Sequence, residues 1–474
     1  MLGTQTLNRQ WSTDYFMHTA TIDALRDDVL DPRHDMTGTD DPSERFSPYT
    51  VALAAVGEAT GVSTVTILRV AGIANLVGFL AAFELLVREL TRRRRAAFFA
   101  LLATLVMWGI GPWRWSGFLN LNSIGFGLPW PSMFATSVVL AVAWAVLRYD
   151  TTGARRWLPI IGGGVALAAL SHPFTLMWGV VMLAALAVHR RLYRRGRVEG
   201  LLLATIGAVG LLAAWPYYPF FRLTSLDGAY SKIMQAMYTS VPTRTVAALP
   251  GIVVVLLRLR RDRRDPLGLM LGGGLALYLL GALADTPSLG RMLPLIMLAS
   301  HIGLGVFLAD LVARRHRASP ATLACLGLAA LIGIVGVAPA LPRMVPRALL
   351  PGSLRERSAL QPSGAPYASL AGALPSGSVI VAPTKLAAVA TAYRYDVVAP
   401  GYPSAFVADI DARRRDASAF LDPTTPDDER ATITERYGVD AVLCGSDACR
   451  RAFTDGAVVR HGPGWTLIRL VPTG

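Results

Sequence analysis

The chain has 474 residues, 53% of them hydrophobic and only 16% charged, with a mean hydropathy of +0.43 and a formal charge of +14. Soluble domains rarely reach that apolar balance, and runs of roughly 20 apolar residues point instead to membrane spans. The positive charge lies in short loops flanking those runs and in no basic domain, so it argues against a nucleic-acid partner.

Residues 1–47 are polar and contain no apolar stretch of the kind a signal peptide needs. They hold the densest group of ionisable residues: Asp14, His18, Asp23, Asp27, Asp28, His34, Asp35, Asp40 and Asp41. Asp14 and His18 are four residues apart, which puts them on one face of a helix. They are either an acid–imidazole pair able to share a proton or a surface pair on an amphipathic helix. Asp35, Asp40 and Asp41 are close enough in sequence to ligate a divalent metal, or form an ordinary solvated acidic loop.

Apolar spans follow at about 65–90, 96–113, 130–147, 157–171, 174–189, 199–217, 245–258, 266–284, 292–311 and 320–341. Arginine marks every second connection: Arg92–Arg95, then Arg148/Arg155/Arg156, then Arg190/Arg191/Arg194/Arg195/Arg197, then Arg258/Arg260/Arg261/Arg263/Arg264, then Arg314/Arg315/Arg317. The intervening loops are nearly free of positive charge. This is the positive-inside bias of a polytopic membrane protein. It predicts that residues 1–64, the loops at 114–129, 172–173, 218–244 and 285–291, and everything after 342 lie outside. Export of a polar head needs a preceding helix, so an eleventh, N-terminal span is expected upstream of Met1.

The outer loops carry the remaining polar residues. Asn122 and Trp130 lie in a segment rich in Trp, Asn and Gly, which suits either sugar binding or aromatic-belt anchoring. His172 breaks two spans, as a turn cap or as a ligand. Arg222, Lys232 and Arg291 are among the few outward cations. They are placed to hold a lipid-linked phosphate or simply to snorkel. His301, mid-span, either packs or lines a cavity. Cys325 lies in an apolar span and reads as packing.

Residues 342–377 are rich in Pro, Gly, Ser and Arg and read as a linker. Beyond it, β-branched runs beginning at Ser378, Asp396, Asp440 and Trp465 alternate with helical patterns at 405–421 and 425–437. Residues 378–474 therefore read as a small extracytoplasmic α/β domain, with Cys444 and Cys449 as a candidate disulfide. The fold class is a polytopic α-helical membrane protein: a first outer loop at 1–64, a helical domain at 65–341, a linker at 342–377 and the α/β domain. There is no Walker A loop, HExxH zinc site or nucleophile elbow.

The head Trp11-Ser-Thr-Asp14-Tyr-Phe-Met-His18, the step Ser47-Pro48-Tyr49 and the tail Glu435-Arg-Tyr437-Gly438-Val439-Asp440 resemble GT-C-like membrane proteins of actinobacteria. The architecture resembles the GT-C glycosyltransferases more widely. That resemblance implies sugar transfer at the outer face of the plasma membrane, from a polyprenyl-phosphate-linked sugar to a glycan, glycolipid or protein. It implies Asp14 as general base or acceptor-orienting residue. Substrate-binding candidates are His18, His34, Tyr49, Asn122, Trp130, His172, Arg222, Lys232 and Arg291. The resemblance implies no obligatory cofactor and leaves a divalent metal open. Two other functions fit the composition: a transporter or lipid flippase, and an envelope scaffold with a glycan-binding tail.

Overall fold

The computed structural model describes residues 2–194, 196–225, 233–314, 319–357 and 360–470. The chain divides into two compact units. One comprises residues 1–8, 69–215 and 230–355; the other comprises 9–68, 216–229 and 356–474.

The first unit is helical. A helix stands at each of the ten expected positions, and seven are long and apolar enough to cross a membrane: Thr64–Thr91, Pro131–Thr152, Pro173–Arg190, Val241–Arg261, Pro266–Leu283, Pro287–Ala313 and Pro320–Met344. The others, Arg94–Val106, Trp157–Ser171 and Val198–Ala213, are shorter. Exposed residues on two helices are large and aliphatic, such as Leu203 (65%), Ile206 (66%) and Leu328 (59%). Surfaces of that kind face lipid, because water would penalise them and lipid does not. Cys325 belongs to the same exposed class, so it does not pack in the core as expected.

Small residues let the helix backbones touch. A Cβ on Gly162 would collide with the Ala204 carbonyl, and one on Gly336 with the Gly109 carbonyl. Between the helices lies a core that includes Phe79, Phe83, Trp108, Trp113, Trp178 and Met182.

The arginine-rich turns gather at one end of this unit. Arg93 pairs with Asp310 at 3.0 Å, Arg148 with Glu89 at 3.8 Å and Arg190 with Asp150 at 3.8 Å. His189 Nδ1 meets the Arg264 carbonyl at 2.8 Å. The alternate turns meet at the other end, where Trp113 Nε1 donates to the Ala236 carbonyl (3.0 Å) and Arg291 to the Ser116 carbonyl (2.6 Å). Arg195, Arg315 and Arg317 lie outside the described residues.

The second unit is built on a five-stranded sheet of order β2-β1-β3-β5-β4. The strands are β1 Val379–Val381, β2 Asp396–Val397, β3 Val439–Cys444, β4 Ala457–Gly462 and β5 Trp465–Arg469. Three are parallel and the last two close as an antiparallel hairpin. Strand β4 has no counterpart among the runs read from the sequence. Its residues are mostly exposed and it carries Arg460, His461 and Gly462, so the alternating signal of a half-buried strand is absent. The helix expected from 405 begins at Ile410 and ends at Leu421; the next is Asp427–Tyr437.

Residues near the N-terminus complete this unit. The helix Asp14–Asp27 and the following loop share a core with the sheet, in which Phe16 and Met36 pack with Ile380, Leu386, Tyr395 and Trp465. The Val397 amide donates to the Met36 carbonyl at 2.8 Å, extending the β2 edge by one main-chain bond. A disulfide joins Cys444 to Cys449, from the end of β3 to the helix Asp447–Ala452.

Candidate functional site

Asp14 opens the helix Asp14–Asp27, half-buried. The N-terminus of that helix favours negative charge, since its first amides have no intrahelical acceptor. The preceding residues are tied down. Gln10 Nε2 donates to the Leu360 carbonyl (2.5 Å), the Trp11 amide to Ser363 Oγ (2.9 Å), and the Tyr402 hydroxyl to the Thr13 carbonyl (2.6 Å). Burial raises the Tyr402 phenol, and the nearby Asp14 carboxylate adds to the effect. The aspartate thus sits on a fixed turn beside a protonated phenol.

One turn on, His18 is buried. Burial, reinforced by Arg45 and opposed by Asp35, lowers its pKa to about 3 and keeps the ring neutral. Behind it is a buried polar network. Arg45 grips Asp35 through two bonds, Nε to Oδ2 at 2.7 Å and Nη2 to Oδ1 at 2.8 Å. Thr21 Oγ1 (2.5 Å) and Ser43 Oγ (3.0 Å) donate to the same carboxylate. Burial alone would raise the Asp35 pKa; the Arg45 charge and these bonds instead hold it well below the usual carboxylate range. The expectation of a solvated or metal-ligating Asp35 is therefore corrected: its oxygens are spent on Arg45 and two hydroxyls. Among the described residues no group of three His, Cys, Asp or Glu is arranged to hold a metal.

His34 belongs to the same network. Its Nε2 lies 2.9 Å from Ser404 Oγ and its Nδ1 3.0 Å from Thr37 Oγ1. Arg45 Nη1 bonds Glu44 (2.7 Å) and the Pro403 carbonyl (3.2 Å), and Glu44 accepts from the Ala405 amide (3.2 Å). The loop 34–45 is thus latched to 403–405. Tyr49 is buried in the first turn of the helix Pro48–Thr60, which Ser47 and Thr50 close with reciprocal cap bonds. Arg222 is exposed on the short helix Phe220–Ser225.

A cavity of about 370 Å³ opens beside this network. It is lined by Asp23, Asp27, Asp31, Arg33, Arg394 and Asp396, among others. Arg394 bonds Asp27, and Thr64 donates to Asp23. Burial, against the pull of Arg33, pushes the Asp396 carboxyl up to about 6.

The remaining candidates lie in the helical unit. His172 caps the helix Pro173–Arg190, with Nδ1 accepting from the Thr175 amide at 3.2 Å. Gly117 sits against the same imidazole and Thr175. Of the two readings of Arg291, snorkelling does not fit: the residue is only 8% exposed, and its guanidinium lies 5.1 Å from the ring centres of both Trp115 and Phe174. Phe174 in turn packs edge-on against His172 at 5.9 Å. His172 and Arg291 are therefore neighbours in one cluster, with Trp115 and Ser116. Asn122 turns away and donates to the Gly336 carbonyl at 3.3 Å. Trp130 is fully buried where the helix Pro131–Thr152 begins, so it neither anchors at an interface nor offers a sugar-stacking face. His301 packs, bonding the Met107 carbonyl at 2.8 Å. Lys232 lies outside the described residues.

Sequence reasoning missed Arg45, Thr21, Ser43 and Ser404. Arg45 left only a weak signal, as one of four arginines in an acidic segment.

No protein-family model matches the chain, and no curated protein does. Solved structures do. ArnT from Cupriavidus metallidurans matches over 96% of this chain and 93% of its own, with a TM-score of 0.54 and 14% identity. The chain shares the fold of that protein. The Archaeoglobus fulgidus oligosaccharyltransferase, solved with a tethered acceptor peptide, matches over 92% of this chain with a TM-score of 0.50 and 13% identity. The chain spans 65% of that protein's length. At these identities the likeness concerns the fold, and it agrees with the polytopic helical architecture and C-terminal α/β layer read from the sequence.

Proposed function

We propose that this GT-C-fold chain is a membrane glycosyltransferase acting at the outer face of the plasma membrane. The observation that carries the reading is the likeness to ArnT along nearly the whole of both chains. The donor is a polyprenyl-phosphate-linked sugar. The acceptor is a hydroxyl or amide of an envelope glycan, glycolipid or protein; the acceptor peptide of the oligosaccharyltransferase supports keeping protein in that set. The positive-inside bias assigns the arginine-rich turns to the cytoplasm, and so residues 9–68, 216–229 and 356–474 to the exterior. A disulfide between Cys444 and Cys449 suits that compartment.

Asp14 acts as general base. Its carboxylate accepts the acceptor proton as the acceptor atom bonds to sugar C1 and the C1–phosphate oxygen bond breaks. The departing phosphate needs a cation. Arg222 is the candidate because it is exposed in the same unit as Asp14. His18, His34 and the Asp35–Arg45 pair hold the aspartate's helix in place from behind.

The test is transfer from labelled polyprenyl-phosphate sugars in vesicles containing the purified protein. Asp14→Asn should lower transfer by about 10²- to 10⁴-fold with membrane insertion unchanged, and Asp14→Glu should recover part of it. Equal product from the wild type and Asp14→Asn removes the catalytic assignment. Substrate uptake without a covalent product replaces the reading with transport.

A further inference from the structure

Two arginines meet at the arginine-poor end of the helical unit, against the alternation of charge between its spans. Arg343 lies in the last turn of the span Pro320–Met344 and is half-buried; Arg114 is exposed in the segment that follows the helix Arg94–Val106. The Arg114 guanidinium stacks 5.4 Å from the ring centre of Phe126, in the short helix Leu121–Gly127. That short helix is fastened to the end of the span: Leu121 packs with Val337, Ala340 and Met344, and Asn122 donates to the Gly336 carbonyl at 3.3 Å. The two positive charges are close enough to repel. Among the described residues no ion pair joins Arg114 to a carboxylate.

Snorkelling cations extend separately into water. Here one guanidinium lies on a ring and the other is half-buried within reach of its charge. A shared anion converts that repulsion into charge-assisted hydrogen bonds, which guanidinium groups make well to phosphate. The helix that carries Arg343 also presents a surface for a lipid tail. Leu328, Leu331, Ile334 and Val335 are exposed, and their three- and four-residue spacing puts them in one stripe. From Leu328 to the helix end at Val337 the stripe runs about 14 Å. That is close to half of a hydrocarbon core of about 30 Å, the depth of one leaflet.

We infer that Arg114 and Arg343 hold the headgroup phosphate of an anionic phospholipid whose acyl chain lies along the stripe from Leu328 to Val335. A stripe one leaflet deep matches an ordinary acyl chain, which ends at the bilayer midplane; a polyprenyl chain outruns it. The site lies wholly within the helical unit. It requires a membrane-spanning chain and does not depend on sugar transfer.

The test uses a fluorophore on Leu341→Cys, an exposed position two residues from Arg343, in a Cys325→Ala background. The protein is placed in nanodiscs of phosphatidylcholine containing a trace of phospholipid with a nitroxide near the top of its acyl chain. The control reporter is Leu280→Cys, exposed near the same end of the helix Pro266–Leu283. Labelled phosphatidylglycerol should quench at 341 about fivefold more effectively than labelled phosphatidylcholine, and the two should quench alike at 280. Arg114→Gln with Arg343→Gln should abolish the preference, and Arg343→Lys, which keeps the charge, should retain most of it. The wild-type comparison stands whether or not the glutamine variants fold. Equal quenching by the two lipids at 341 overturns the inference, as does the same preference at 280. Displacement of the labelled lipid by polyprenyl phosphate, but not by the same amount of unlabelled phosphatidylglycerol, also overturns it, since the occupant is then the polyprenyl lipid.

Discussion

Asp35 and Arg45 show what the acidic head is for at the level of single residues. Seen in sequence, the head is a string of carboxylates interspersed with four arginines; folded, the carboxylate of Asp35 is enclosed by one guanidinium and two hydroxyls. Removing one member of such a pair leaves the other charge buried alone. Asp35→Asn or Arg45→Leu should destabilise the protein by about 3–5 kcal/mol, read as a fall in the denaturation midpoint of detergent-solubilised protein. His18 adds a pH dependence. Its folded pKa of about 3 lies below the 6.5 of an ordinary histidine, so as pH falls the unfolded chain takes up its proton first. Stability from this residue is complete above pH 6.5 and declines at up to about 1.4 kcal/mol per pH unit down to pH 3. His18→Phe should flatten that part of the profile; an unchanged slope would show that the ring is not buried neutral.

At the scale of elements, hydropathy and charge were enough to locate the helices because each combines an apolar run with a charged or broken end. Helix positions were therefore legible. The partners of the polar residues were not: Asn122 reads as a loop amide open to ligand yet bonds the Gly336 carbonyl more than 200 residues away, and Trp130 reads as an interface anchor yet is buried. Only long-range packing decides such cases, and composition does not encode it. Strand β4 was illegible for a local reason, since an exposed edge strand alternates too weakly to announce itself. Contact between helix backbones gives the sharpest element-level prediction. Gly336→Ala forces a methyl group onto the Gly109 carbonyl, so it should cost about 1–3 kcal/mol by overpacking. Gly163→Ala, where a methyl meets open space, should be close to neutral in the same thermal melt. Equal midpoints for the two variants would refute the packing described.

Taken as a whole molecule, the chain joins a bundle of lipid-facing helices to a second unit assembled from three separated stretches, 9–68, 216–229 and 356–474. The alternation of arginine between spans predicts that these stretches share a side of the membrane. It did not indicate that they fold together, because the β2 edge bond to Met36 and the Tyr217 bond to Val29 leave no trace in composition. Transfer at the outer face requires all three stretches to be exterior and the arginine turns to be interior. The direct measurement is labelling of intact cells with a membrane-impermeant maleimide, using single cysteines at Thr13, Phe221 and Arg94 in a Cys325→Ala background. Labelling of positions 13 and 221 from outside, with position 94 reacting only after permeabilisation, is the predicted result; labelling of position 94 from outside while 13 stays protected would contradict it.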